Sequence, residues 1–191
     1  MYAGTMRDQL SLTGQLLLAM PGMSDPRFDH AVIAMCAHDG QGAMGIGIGA
    51  QIDDLGLHEI LDQFDIAIGS APDAPVHFGG PVEPGRGFVL HSNDWGGQDT
   101  INVAGRWSLS GTIDILRAIA EGRGPTRWVV ALGYAGWGPG QLDAEMTRHG
   151  WFNTAASPDL IYDVAAQNRW STAFGGAGID PRLLSSGAGT A

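Results

Sequence analysis

Glycine interrupts this chain so often that little room is left for long helices. It occupies 30 of the 191 positions, about twice the ordinary share. Such spacing predicts short strands joined by tight turns. The densest run is His77 to His91, HFGGPVEPGRGFVLH, with four glycines, two prolines, two histidines, a glutamate and an arginine in fifteen positions. Gly79 and Gly80 allow positive φ and close backbone approach, Pro81 and Pro84 stiffen the exit, and Phe88-Val89-Leu90 reads as a buried strand. The segment reads either as a site or as a tight structural crossover.

Apolar runs predict strands over Gly14–Met20, Ala31–Cys36 and Ala43–Ile48, the last two joined as a hairpin through His38-Asp39-Gly40. Asp53-Asp54 is expected to cap a helix whose buried face is Leu57, Ile60, Leu61 and Phe64. Thr100–Val103 and Arg106–Leu109 predict a hairpin around Ala104-Gly105. Thr112 is expected to cap a helix with Asp114 in its first turn. Trp128–Leu132 predicts a central strand, followed by a Gly133–Gly140 loop and a helix carrying Leu142 and Met146 inward. Trp151–Thr154 predicts a last strand before a helical C-terminal region. The expectation is a single α+β domain over 1–191 with a mostly antiparallel, strongly curved sheet, and with loose ends at 1–12 and 185–191.

Charge narrows the functional classes. The net charge is −10 and every one of the ten basic residues is arginine. A chain without lysine has no phosphate-loop lysine, no pyridoxal Schiff base and no lysine nucleophile, and no cofactor is expected. The acidic balance opposes nucleic-acid binding, which rests on basic groups displacing counterions. Cys36 stands alone, so no disulfide forms within the chain, and no apolar run reaches the roughly 20 residues of a membrane helix. With no signal-peptide pattern at the start, the expected location is the cytoplasm.

Two segments are candidate ligand contacts. Gly136-Trp137-Gly138-Pro139-Gly140-Gln141 lies between a strand and a helix start, where free N–H groups favour an anion and Trp137 offers a stacking face; the competing reading packs Trp137 into the core. Arg86, beside Gly79-Gly80, offers a fork for a carboxylate or phosphate, or a salt bridge with Glu83 or another of the many surface acids. Together Gly79, Gly80, Arg86, His91, Gly136, Trp137 and Gln141 would form one anion pocket if the loops meet. His91 with Asp94 and Ser92, Ser108 or Ser110 suggests a triad that only geometry can define; the competing reading is a polar turn after a strand. Gly45-x-Gly47-x-x-Ala50 fits a relaxed dinucleotide fingerprint but lacks the preceding buried strand. Alternation puts Cys36 and His38 on one strand face, without metal-ligand spacing, and no metal site is expected.

LLLAMPGMSDPRFDHAVI, HDGQGAMGI, HFGGPVEPGRGFVLHS, TIDILRAIAEGRGP, ALGYAGWGPGQLDAE and WSTAFGGAGIDPRLLSS together resemble the bacterial YqgE/AlgH family, from about Leu16 to Ser186. The resemblance implies an α/β domain with a bifurcated sheet folded into a pseudo-barrel flanked by helices. It implies no settled activity, although one namesake carries the label of a transcriptional regulator of alginate production. Relatives usually place an asparagine after the second strand, where this chain reads Gly45-Ile46-Gly47-Ile48-Gly49-Ala50. The expected function is non-enzymatic binding of a small anion or a protein partner, with a regulatory role. The competing expectations are a hydrolase or transferase on an anionic substrate near Gly79, Arg86 and His91, and a DNA-binding regulator that the charge disfavours.

Overall fold

The computed structural model describes residues 11–23 and 25–184; the expected loose ends at 1–10 and 185–191 lie outside them. Ser11 and Leu12 are part of the packed structure: Leu12 is buried, and its N–H donates to His38 Nδ1 at 3.0 Å.

Among the described residues, ten strands and five α-helices follow one another: β1 Leu16–Ala19, β2 Val32–Asp39, β3 Gly42–Gly47, β4 Gln51–Gly56, α1 Leu57–Gln63, β5 Pro75–Phe78, β6 Val82–His91, β7 Ile101–Val103, β8 Trp107–Ser110, α2 Ile113–Ala120, β9 Trp128–Trp137, α3 Gln141–Thr147, β10 Trp151–Thr154, α4 Asp159–Asp163 and α5 Ala166–Gly176. The strand order is β10-β1-β2-β3-β9-β6-β8-β7, with β4 on β5 and β5 on β9. All pairings are antiparallel except β5 with β9. The path is open, and β10 and β7 do not close on each other, so the barrel that the family resemblance implies is not closed here.

β9 is the trunk. Along one edge it carries β6, from Trp128 to Tyr134. Along the other it carries β5 at Val130–Leu132 and then β3 at Ala135–Trp137. The fork falls at Gly133, whose φ of 76° is open to glycine. A Cβ on Gly133 would strike Gly80 O, one on Gly79 would strike Gly133 O, and one on Gly80 would strike the main chain of Tyr134. The glycines of the HFGG run therefore let three backbones meet at one point.

Apolar residues sort into three packed groups. Leu16, Leu18, Phe88, Leu90 and Trp107 pack with α4 and α5 through Leu160, Ile161 and Phe174. Leu17, Ile33, Met35, Trp137 and Trp151 pack with Leu142 of α3. Val76, Val89 and Val130 pack with Leu57, Leu61, Ile115 and Ile119 of α1 and α2. The alternation of burial along β1 and β6 thus feeds opposite faces, as a pleated strand requires.

Local departures have local causes. Asp53 and Asp54 sit within β4 instead of capping α1; the helix starts at Leu57, and Asp73 Oδ1 takes the N–H of His58 at 2.9 Å. Phe64 ends α1 half-exposed, outside the core. Thr112 stands at the N-terminus of α2 without capping it, because its hydroxyl is bonded to Asp99 and Asp114. The Gly133–Gly140 loop is strand as far as Trp137. A bulge between Met35 and Ala37 breaks the alternation in β2. It sends Cys36 into the α4–α5 group and His38 toward Leu12 and Asp143, so the two do not share a face. Burial pushes the Cys36 thiol up to about 12, which suits a small apolar filler. The β7–β8 hairpin forms as expected, with positive φ at Ala104 and Gly105. Among the described residues no helix is long and apolar enough to cross a membrane.

Candidate functional site

The HFGG run sits at the fork of the sheet. Gly79 and Gly80 are buried at the fork, where the Gly79 N–H donates to Leu132 O at 2.8 Å and Gly79 O accepts from Gly47 N at 2.7 Å. Arg86 is exposed, 3.4 Å from Glu83 and 5.0 Å over the Phe88 ring. Backbone pairing takes the Gly79 amide hydrogen, and Glu83 pairs with the guanidinium.

Gly136 lies in the β9–β3 ladder opposite Met44, and Trp137 is buried with its indole N–H on Glu145 Oε2 at 2.7 Å. Gln141 is exposed and folds back over its own helix start: its Oε1 accepts from Gly138 N at 3.0 Å and its Nε2 donates to Glu145 Oε1 at 3.3 Å. These bonds fill the opening of α3, a helix of seven residues. Gly136, Trp137 and Gln141 do border an open cleft of about 660 Å³, and the HFGG exit reaches the same cleft through Pro81. The two segments thus meet there, without Arg86 or the paired glycines.

The floor of this cleft is aromatic. Phe28 meets Trp151 edge-on at 5.6 Å, and Trp151 meets Trp137 edge-on at 6.1 Å. Glu145 Oε2 accepts both indole N–H groups, the second from Trp151 at 3.1 Å, which fixes the rings in orientation. The walls add Met20 and Met23, and the rim carries Arg27, Arg148 and His149. Arg27 is held by Asp25 at 2.7 Å. Arg148 makes no ion pair with any described residue. His149 follows the last turn of α3 at φ 59°, and the N–H of Gly150 reaches back to Glu145 O at 3.0 Å. That is the left-handed helix stop usually given to glycine.

His91 belongs elsewhere. It is fully buried at the end of β6, with Nδ1 2.8 Å from Ser92 O and Nε2 2.8 Å from Ser110 Oγ. Burial lowers its pKa, so the ring is neutral and donates from Nδ1. Asp94 does not face it as a triad acid: its carboxylate accepts from Ser92 Oγ at 2.7 Å and from Thr126 N at 3.1 Å, closing the turn. Phe28, Arg27, Arg148, His149 and Trp151 were not read as site residues. Their only joint signal is spatial, since they come from segments more than a hundred residues apart.

An open, mostly antiparallel α+β sheet forked on one strand, with an aromatic cleft beside α3, defines the class of fold. The AlgH-like family model matches residues 16–182, and the chain belongs to that family. The chain is 59% identical over 181 residues to a UPF0301 protein of Rhizorhabdus wittichii, covering 95% of this chain and 97% of the relative. It is 58% identical to one of Sphingopyxis alaskensis, covering 94% and 96%. The solution structure of AlgH from Pseudomonas aeruginosa superposes with a TM-score of 0.78 at 38% identity, covering 96% of this chain and 97% of that one. A crystal structure from Corynebacterium diphtheriae, at 19% identity and TM-score 0.72 over 91% of each chain, shares the fold.

Proposed function

We propose that this protein binds a small organic anion without transforming it. The apolar, planar part of the guest lies on Phe28, Trp151 and Trp137, and its carboxylate or phosphate meets Arg148 and His149. The carrying observation is Arg148, a guanidinium with no acid partner among the described residues, at the rim of an aromatic-floored cleft. The cleft's size, about 660 Å³, falls within the range of small-molecule sites. An arginine fork suits planar anions, and aromatic faces suit a flat apolar body. A binding role fits better than catalysis because Glu145, the carboxylate in the floor, already accepts from Trp137, Trp151 and Gln141.

A thermal-shift panel of aromatic carboxylates, nucleotides and sugar phosphates at fixed ionic strength tests this. A ligand at a hundred times its Kd adds about 2.7 kcal/mol, so at least one member should raise Tm by roughly 5–10 °C. Arg148→Ala should leave the ligand-free Tm within about 2 °C, because the side chain is exposed and pairs with no acid among the described residues, and should remove most of the shift. A panel that produces no shift, or a shift that survives Arg148→Ala, rules the reading out.

A further inference from the structure

A second cavity, of about 270 Å³, lies under α1 and α2 and shares no lining residue with the aromatic cleft. Its walls are mostly carbon, from Ile60, Val89, Ile115, Leu116 and Val130, and one end is formed by Ser110. Behind Ser110 stands His91.

The hydrogen positions follow from the partners. Ser92 O can only accept, so His91 Nδ1 carries the ring's hydrogen. In the neutral ring Nε2 is then bare and accepts from Ser110 Oγ. Ser110 therefore cannot give its hydrogen to Thr100. It accepts from Thr100 Oγ1 at 2.8 Å, and Thr100 Oγ1 accepts in turn from Gly97 N at 2.8 Å. Every hydrogen in the chain points toward His91. Trp95 meets the imidazole edge-on at 5.7 Å and steadies it. A hydroxyl bonded to a base, with the base oriented by a third group, is the arrangement that activates a nucleophile.

We propose that Ser110 is an acylatable nucleophile with His91 as its base, and that the apolar cavity takes the short hydrocarbon or aryl acyl group of a small neutral ester. In the first step a bond forms between Ser110 Oγ and the acyl carbon. The proton of Ser110 passes to His91 Nε2, the ester C–O bond breaks, and Nε2 returns the proton to the departing alkoxide. Water then repeats the sequence, freeing the carboxylic acid and restoring the hydroxyl. Burial disfavours the imidazolium of His91, and the Ser92 carbonyl, Asp94 and Asp99 offset part of that cost while the ring holds the proton. Ile113, first in the eight-residue α2, lines the cavity, and its N–H makes no hydrogen bond among the described residues. With the Gly111 N–H taken by Asp99 Oδ2 at 2.9 Å, the N–H groups of Thr112 and Ile113 are the backbone donors left among the described residues of this wall for a developing oxyanion. Ser110 is 1% exposed, so a substrate reaches it only through the cavity. Size and polarity at the mouth then select the acyl group. This site is independent of the aromatic cleft, and either reading stands if the other fails.

Diisopropyl fluorophosphate tests the proposal on the full chain. Oγ of Ser110 bonds to phosphorus, fluoride leaves, and the proton passes to His91 and on to solvent. Intact-mass and peptide mapping should show one adduct, on Ser110, absent in Ser110→Ala and formed about a hundredfold more slowly in His91→Gln. Leu116→Trp narrows the cavity and leaves Ser110 and His91 in place, so it should also suppress labelling. It keeps the test decisive if the buried variants do not fold. No adduct after overnight exposure to excess reagent, an adduct on another residue, or undiminished labelling of Leu116→Trp overturns the assignment.

Discussion

His77 and Arg169 meet in the core although both are basic. Arg169 Nη1 donates to His77 Nε2 at 2.7 Å and to Ile48 O at 2.7 Å, and Nη2 donates to Ile161 O at 2.6 Å. His77 Nδ1 faces Val130 O at 3.0 Å and so carries the ring's hydrogen. A second ring proton would point at the guanidinium, and burial together with Arg169 holds the His77 pKa down at about 4. The sign follows. The unfolded chain takes up this proton as pH falls below about 6.5 and the folded chain refuses it until about 4, so this stability is complete above 6.5 and is lost on the way down to 4. The loss from His77, which is 3% exposed, is about 3 kcal/mol, and His91, also lowered by burial, acts in the same direction. Urea titrations stepped from pH about 7.5 to about 4.5 should show the midpoint falling steadily. In His77→Gln, which can still accept from Arg169 and donate to Val130, the fall should be shallower. An equally steep fall would remove His77 from the account. The sequence marked His77 as an end of its glycine-rich run and as a histidine that could approach His91, not as a partner of Arg169. Its partner lies 92 residues away, and no local pattern connects a strand histidine to an arginine on the last helix. Trp137 was more legible, because a tryptophan beside a glycine turn invites both a packed and a ligand-facing reading; it packs against Trp151 and also borders the cleft.

At the scale of elements, α3 ends on a strained residue at the cleft rim. His149 at φ 59° sits where glycine is the usual stop. A left-handed non-glycine residue costs about 1–2 kcal/mol, so His149→Gly should stabilise the protein by about 1 kcal/mol and raise Tm by roughly 2–4 °C. The same change removes an imidazole from the cleft rim and should weaken the anion-dependent thermal shift. Higher stability with full ligand response would leave His149 as a helix stop alone. Helix and strand identity was mostly readable: Leu57, Ile60 and Leu61, and Ile115 and Ile119, face the core at helical spacing. Ends were harder. Asp53-Asp54 looks like a cap, but β4 pairs with β5 and the capping carboxylate comes from Asp73, across the loop. Glycines misread the far half of β9 as a loop, since the close approach that requires Gly133 depends on strands from elsewhere.

For the whole molecule, the fork decides stability. Gly80 has φ 152° and no room for a Cβ beside Tyr134 and Ala135. Gly80→Ala should therefore cost at least about 3 kcal/mol from overpacking and backbone strain, a fall in Tm of about 6–12 °C. Gly85→Ala, with nothing within 4 Å of the added Cβ, should be close to neutral. Similar melting of the two variants would take the fork out of the explanation. The α+β class was legible from alternation and turn chemistry. The forked order was not, because it rests on pairings between strands distant in sequence and on one parallel contact.

β9 starts at Trp128 of 191 residues, after β3, β5 and β6 have all been synthesised. Those three strands wait on the ribosome with bare edges until their common partner emerges, the condition in which unpaired strands recruit neighbouring chains. The many short, glycine-broken segments that precede β9 give the growing polypeptide little flat, continuous edge to offer during that wait.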